Sequence, residues 1–200
     1  MSESVELGYL ISNSEYKSFD EIITVLTNKG KRVAMIAMGV KKITSKNGRN
    51  LRFGSLTEFT YFQSRSEDKV SKLKSAHLVE ENDWQIQTRH SFNVLCNCVK
   101  KTKYTSKEFF SFFKHSLNLI VNDKYNDKVL VSVILFRFLS LNGIIFDDNF
   151  ENIKEPQRSI IEKNLINIDN AKYSLIKDEI NATNKVLSDH IFKILGIKVL

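Results

Sequence analysis

The sequence predicts an α+β protein, with an N-terminal five-stranded β-barrel followed by an all-α helical domain. Five short runs rich in β-branched and aromatic residues fill the first 80 residues, and apolar residues then recur at helical spacing. At 200 residues, 42% of them hydrophobic, the chain is long enough to bury two modest cores. We therefore expect a barrel domain over residues 1–80 and a helical domain over residues 81–200.

The five predicted strands are separated by turn signals. Between the second and third runs, residues 28–31 predict a tight turn in which Gly30 takes a positive φ. That hairpin would present Lys29, Lys31 and Arg32 at its tip. The five runs are VELGYLI, EIITVLT, RVAMIAMGV, EFTYFQS and VSKLKSAHLV.

A long polar connection, residues 39–55, separates the third and fourth predicted strands. Its three glycines and the segment KKITSKNGRN predict a basic, flexible loop outside the core. A five-stranded barrel with a long connection after its third strand is the general plan of the oligonucleotide-binding fold (OB-fold), whose loops and open face hold nucleic acid. The fold alone does not establish that function.

Helix signals begin after the last predicted strand. Asn82 or Asp83 is suited to cap a helix that runs to about residue 101, and Ser106 is suited to cap a second, phenylalanine-rich helix. Residues 127–142 are apolar on nearly every side, which is typical of a central, buried helix.

The remainder of the chain alternates loop and helix signals. Gly143 is expected to end the central helix, and the acidic segment at residues 146–155 predicts a loop. Further helices are expected at residues 155–165, 169–180 and 183–195. We expect the domain boundary at residues 80–83.

The stretch from residue 22 to residue 57 contains eight basic residues and no acidic one. The formal net charge is +7 and the pI is near 9.3, so nucleic acid is the favoured partner and an anionic membrane surface the weaker one. A solvated surface of ordinary lysines is the alternative interpretation. The candidate DNA-binding residues, which would position phosphates without reading bases, are Lys29, Lys31, Arg32, Lys41, Lys42, Lys46, Arg49 and Arg52.

Four aromatic residues near this charge are candidates to stack on bases, although most of them are expected in the core. In a strand, Phe59 and Tyr61 share one face and Phe62 points to the other, so at most one set is exposed. The fourth, Phe53, lies at the exit of the long connection.

Patterns for catalysis or metal binding are weak. Cys96 and Cys98 point apart on a helix and are expected to be buried thiols. A divalent-metal nuclease using Asp147 and Asp148, with Glu151 and Glu155 nearby, is disfavoured against a solvated loop. Nucleotide-binding and GxSxG motifs are absent, so we expect a non-enzymatic protein without a cofactor. The histidines, which lack metal-ligand spacing, are His77, His90, His115 and His190.

Targeting signals are also absent from the sequence. The first residues lack a basic segment followed by a long apolar run, and no stretch of uninterrupted apolar residues is long enough to span a bilayer. We therefore expect a cytoplasmic protein, associated with the nucleoid if its partner is DNA.

Several sequence segments, taken in order, resemble those of the bacterial recombination mediator family RecO. They are GYLISNSEY, FDEIITVLTNKGKRVAMIAMGVKK, the segment of residues 45–53, LTEFTYFQSR and LFRFLSLNGIIFDD. The resemblance covers most of the chain and implies an OB-fold followed by a helical domain. Many members carry a four-cysteine zinc module after the Leu and Gly segment, whereas this chain has no cysteine there, so zinc is not expected.

The resemblance implies a protein that binds single- and double-stranded DNA and promotes annealing of complementary strands. It also implies that the protein assists loading of RecA onto DNA coated by single-strand-binding protein, together with RecR. The helical domain would receive the acidic, apolar C-terminal tail of single-strand-binding protein, with Lys100, Lys101 and Lys103 as candidate contacts. An RNA-binding OB-fold protein of RNA metabolism is the alternative.

Overall fold

The computed structural model describes residues 2–64, 70–102, 106–122, 126–143, 177–196 and 198–200. The chain forms two compact units. The first comprises Met1–Thr88 with Lys103–Lys114, and the second comprises Arg89–Thr102 with His115–Leu200.

The first unit contains a closed five-stranded barrel with the strand order β1-β2-β3-β5-β4. All neighbouring strands are antiparallel except β3 and β5, which are parallel and pair only at Met35 with Ser71 and at Ile36 with Lys72. The predicted fold class, a barrel followed by helices, is confirmed. The strands are β1 (Glu3–Lys17), β2 (Asp20–Thr27), β3 (Arg32–Ala37), β4 (Leu56–Phe62) and β5 (Ser71–Glu80).

Alternation of side chains along the strands builds the core of the barrel. Residues such as Ile23, Val25, Met35 and Phe59 are fully buried in this core. Beyond this core, β1 continues past Ile11 as an exposed arm paired with the start of β2.

The predicted turn at residues 28–31 is confirmed. Gly30 has a φ of 76°, and its N–H donates to the carbonyl of Thr27 at 2.8 Å. A Cβ added at Gly30 would lie 2.1 Å from the carbonyl oxygen of Ser106, within the same unit. Both the backbone conformation and the close approach therefore require glycine.

The connection after β3 is not one continuous loop, so that prediction is wrong at Lys46–Asn50, which form a helical turn, α1. The helix predicted from residue 82 or 83 ends where expected, at Lys101, but its predicted start is wrong. Trp84–Thr88 form a 3-10 turn, and the α-helix α2 begins only at His90, after the extended residue Arg89.

In the part of the chain that the structure describes, three longer helices follow α2. They are α3 (Lys107–Val121), α4 (Asp127–Leu141) and α5 (Lys177–Leu195). Asn126 caps α4 by accepting from the N–H of Lys128 at 2.9 Å, and every residue from Val129 to Phe136 is buried, as expected for the central helix.

The end of the chain departs from its predicted helix boundaries. The α5 helix runs without interruption through residues 181–182, where a break between helices was expected. The predicted loop at residues 146–155, the predicted helix at residues 155–165 and most of that at residues 169–180 lie outside the described residues.

Candidate nucleic-acid interface

The short helix α1 is held against strand β5 by two asparagines. The side chain of Asn47 donates to the carbonyl of Lys74 at 3.2 Å and accepts from the N–H of Ala76 at 3.1 Å. The side chain of Asn50 donates to the carbonyl of Ala76 at 2.7 Å. These side-chain amides form hydrogen bonds with backbone groups of β5 where that strand no longer pairs with β3. The helix α1 therefore covers this edge of the barrel.

Two small residues allow α1 to sit this close. The hydroxyl of Ser45 caps the helix by accepting from the N–H of Gly48 at 3.1 Å. A Cβ on Gly48 would lie 2.2 Å from the carbonyl oxygen of Val40, which belongs to the barrel core. The segment SKNGRN thus divides into residues that attach α1 and residues that face solvent.

Lys46 and Arg49 are the solvent-facing residues of this turn, and both are exposed. Lys42 is exposed as well, and its carbonyl accepts from the N–H of Ser45 at 2.9 Å, directly before α1. None of these three, nor exposed Lys31, has an ion-pair partner among the residues that the structure describes. We call Lys42, Lys46 and Arg49 the α1 cationic group.

Three other predicted DNA-binding residues are engaged with carboxylates. Lys29 binds Glu6 at 2.9 Å, Lys41 binds Glu15 at 2.6 Å, and Arg52 binds Glu81. The hydrogen bond between Lys41 and Glu15 raises the pKa of the lysine and lowers the pKa of the carboxyl group. A phosphate would have to compete with these carboxylates.

Arg32 differs from the other basic residues because it is half-buried at the start of β3. Burial lowers the pKa of its guanidinium from the ordinary value. The structure therefore does not collect all three residues of the predicted hairpin tip on one exposed surface, since Lys29 is paired and Arg32 is half-buried.

The aromatic candidates are largely part of the barrel. Phe59 and Tyr61 are buried in the core, and Phe53 packs against it. Phe62 is half-buried, with the ammonium of Lys74 5.9 Å from its ring centroid. Phe59 and Tyr61 are thus not available to stack on a base.

Sequence reasoning missed two exposed aromatic residues at the tip of the β1–β2 hairpin. Tyr16 is 46% exposed and Phe19 is 53% exposed. The N–H of Lys41 donates to the carbonyl of Phe19 at 3.1 Å, and the N–H of Gly39 donates to the carboxylate of Asp20 at 2.8 Å. These bonds fasten the hairpin tip to the chain that leads into α1.

The described ranges show neither a metal-binding cluster nor a membrane-spanning helix. In that part of the chain, no three His, Cys, Asp or Glu side chains are grouped to hold a metal ion. No helix there combines the length and apolar character needed to cross a bilayer. The acidic residues Asp147, Asp148, Glu151 and Glu155 lie outside the described residues, as does Lys103.

Comparison with known proteins supports the identification of the barrel. Residues 1–82 match the family described as Recombination protein O N terminal. Three relatives are each named DNA repair protein RecO. The one from Mycoplasma mycoides subsp. mycoides SC is 26% identical over 143 residues, 68% of this chain. The one from Mesoplasma florum is 28% identical over 150 residues, 72% of this chain, and the one from Mycoplasma capricolum subsp. capricolum is 28% identical over 143 residues, 68% of this chain.

The similarity to these relatives extends beyond the barrel, because the matched stretches are longer than the 82 residues of the family match. They cover 57%, 55% and 57% of the relatives, so the chain spans little more than half of their length. The closed barrel order and the family match over residues 1–82 show that the N-terminal domain is similar to that of recombination protein O, and the similarity to the three relatives named DNA repair protein RecO extends over more of the chain.

Proposed function

We propose that this protein is a non-enzymatic DNA repair protein that binds single- and double-stranded DNA and promotes annealing of complementary strands. The observation that carries the proposal is the α1 cationic group, whose exposed charges lie on and next to a helix fastened to the RecO-type barrel. Cations at fixed positions neutralise phosphates and release their counterions. Neutralising two strands at once lowers the repulsion that slows their pairing.

The direct test is annealing of complementary oligonucleotides by the triple variant Lys42→Ala, Lys46→Ala, Arg49→Ala. We expect slower annealing and weaker binding, with the slope of log affinity against log salt reduced by about 2 for three lost phosphate contacts. The matched control removes the same charge from helices α3 and α5, with Lys107→Ala, Lys114→Ala and Lys193→Ala. Unchanged affinity and salt slope in the α1 triple variant would refute the proposal.

The same assay separates DNA from RNA as the partner. An RNA-binding protein would use the same basic residues to bind phosphates. Structured RNA is therefore added as a competitor to a complex with single-stranded DNA. Displacement of DNA by a lower concentration of structured RNA than of unlabelled DNA would favour the RNA function.

We propose in addition that the protein works with RecR to assist RecA loading onto DNA coated by single-strand-binding protein. A groove of about 560 Å³ in the second unit supports a place for the C-terminal tail of single-strand-binding protein. Lys128, Lys185 and Lys198 supply positive charge, while Val131 and Phe192 supply apolar surface. Asp189 also lines the groove, and its carboxylate would repel the acidic groups of the peptide.

Of the three candidates from the sequence, Lys103 lies outside the described residues. Lys100 and Lys101 are exposed, but neither lines this groove, and the ammonium of Lys101 donates to the carbonyl of Lys198. Charge reversal at Lys128 and Lys185 to Glu should abolish binding of a labelled tail peptide. Annealing of bare oligonucleotides should persist, and loss of annealing on coated strands only would support the tail groove.

A further inference from the structure

The tip of the β1–β2 hairpin combines exposed aromatic rings with Lys17, which lies outside the α1 cationic group, and with Lys42, which belongs to that group. We propose that this tip is a stacking site for an unpaired nucleobase, which makes the protein bind single-stranded DNA in preference to duplex. The inference rests on the proposed DNA binding and names the form of DNA that the barrel selects.

Exposure of Phe19 is the first observation. Phe59, on β4, is fully buried and shows how the fold treats an aromatic residue that serves the core. Phe19 instead leaves 53% of its surface in solvent, although its backbone is fixed by the hydrogen bond from Lys41. A ring that is held in place but left uncovered offers a face for stacking at little cost in ordering.

The second observation is the recess beside this ring. An open recess of about 420 Å³ is lined by Phe19 and by Met38, which is 56% exposed, together with Lys17 and Lys42. The ammonium of Lys42 lies 5.4 Å from the centroid of the Phe19 ring. The ammonium of Lys17 lies 5.3 Å from the centroid of the Tyr16 ring.

This arrangement suits a nucleotide better than an apolar peptide or a lipid surface. A nucleotide has a flat π-face and an anionic phosphate, which match an aromatic ring with an adjacent ammonium. Of the nearby carboxylates, Glu15 is paired with Lys41 at 2.6 Å, and Asp20, which also lines the recess, accepts from the Gly39 N–H at 2.8 Å. A duplex has its base faces covered by neighbouring bases, so it cannot use the ring.

The test compares Phe19→Ala with the unmodified protein by fluorescence anisotropy on three labelled probes. These are a short oligothymidine, an abasic strand of the same length and a blunt duplex. We expect about a ten-fold loss of affinity on oligothymidine, in line with the loss of one stacked base. Binding to the abasic strand and to the duplex should change by less than about two-fold, because phosphate contacts remain.

Further variants separate stacking from apolar packing. Phe19→Leu keeps apolar volume without a ring and should lose as much as Phe19→Ala, whereas Phe19→Trp should retain affinity. Val79→Ala, at an apolar residue 57% exposed on β5, is the matched control and should bind all probes normally.

An equal loss on all three probes, or no loss on oligothymidine, would overturn the stacking site while leaving DNA binding intact. Failure of the unmodified protein to bind any probe at low salt would overturn the proposed function itself. Retention of affinity by Phe19→Leu would replace stacking with a simple apolar contact and so reject the proposal.

Discussion

The ammonium of Lys29 lies 2.9 Å from a carboxylate oxygen of Glu6, and the side chain of Glu6 is only 6% exposed. Lys29 itself is 57% exposed, so an exposed ammonium pairs with a carboxylate that is buried in the barrel. Among the eight basic residues of the acid-free stretch, Lys29 therefore has a structural role, which is to pair with Glu6. The acid that pairs with it lies in β1, outside that stretch.

Replacement of Lys29 by Met should destabilise the barrel by about 2 kcal/mol, because a buried carboxylate loses its hydrogen-bonding cation. Urea unfolding followed by circular dichroism measures this change. The double variant Glu6→Gln, Lys29→Met should be more stable than Lys29→Met alone, since no buried charge is left unpaired. Equal stability of the single variant and the unmodified protein would show that the pair contributes nothing.

Gly30→Ala should destabilise the protein by about 2 kcal/mol or more, because a left-handed backbone and a clash with the Ser106 carbonyl act together. Gly39→Ala is the matched control. Its φ of 65° is similar, but a Cβ there would approach only the side chain of Lys42, at 3.8 Å. Urea midpoints should therefore place Gly39→Ala between the unmodified protein and Gly30→Ala, and the reverse order would contradict the close approach.

Asn47→Ala should speed hydrogen exchange of the Ala76 amide, which donates to the Asn47 side chain. The loss of both bonds made by Asn47 should cost about 1 to 2 kcal/mol. DNA affinity should also fall, because Lys46 and Arg49 are then less firmly positioned. Asn13→Ala removes an exposed asparagine of β1 and serves as the control. Unchanged exchange at Ala76 would disprove the attachment of α1.

Alkaline pH should weaken the barrel through its buried tyrosines. Burial, followed by the charge of Glu6, raises the pKa of Tyr61 to about 12. The folded state then keeps a proton that the unfolded state releases near pH 10, so the stabilisation is present below pH 10 and is lost as pH rises toward 12. Between pH 9 and pH 11, unfolding free energy should fall by about 1 kcal/mol less in Tyr61→Phe than in the unmodified protein. Identical pH slopes in urea titrations would count against this assignment.

The barrel was predictable because its strands are continuous apolar or alternating runs bounded by turns, and the glycine turn at residues 28–31 is a local signal. The α1 turn was not predictable, since Asn and Gly have poor helix propensity and hydrogen bonds to β5 hold them in place. The exposed positions of Tyr16 and Phe19 were not predicted, because β1 was expected to end near Ile11. The strand instead continues to Lys17 as a hairpin arm, where pairing with β2 replaces burial.

The basic residues of the candidate site were evident from composition alone. Composition did not show which of them pair with carboxylates. Which basic residues pair with a carboxylate depends on acids distant in sequence, such as Glu6 for Lys29 and Glu81 for Arg52. Cys96 and Cys98 were simpler, because their helix buries both thiols as expected and burial raises the pKa of each.

Asn47 and Asn50, which attach α1 to β5, have side chains that do not titrate. Their amide hydrogen bonds are also little affected by salt. Rising ionic strength would therefore detach a polyanion from Lys42, Lys46 and Arg49 while leaving the helix that displays them in position. Release and rebinding would require no refolding of the surface.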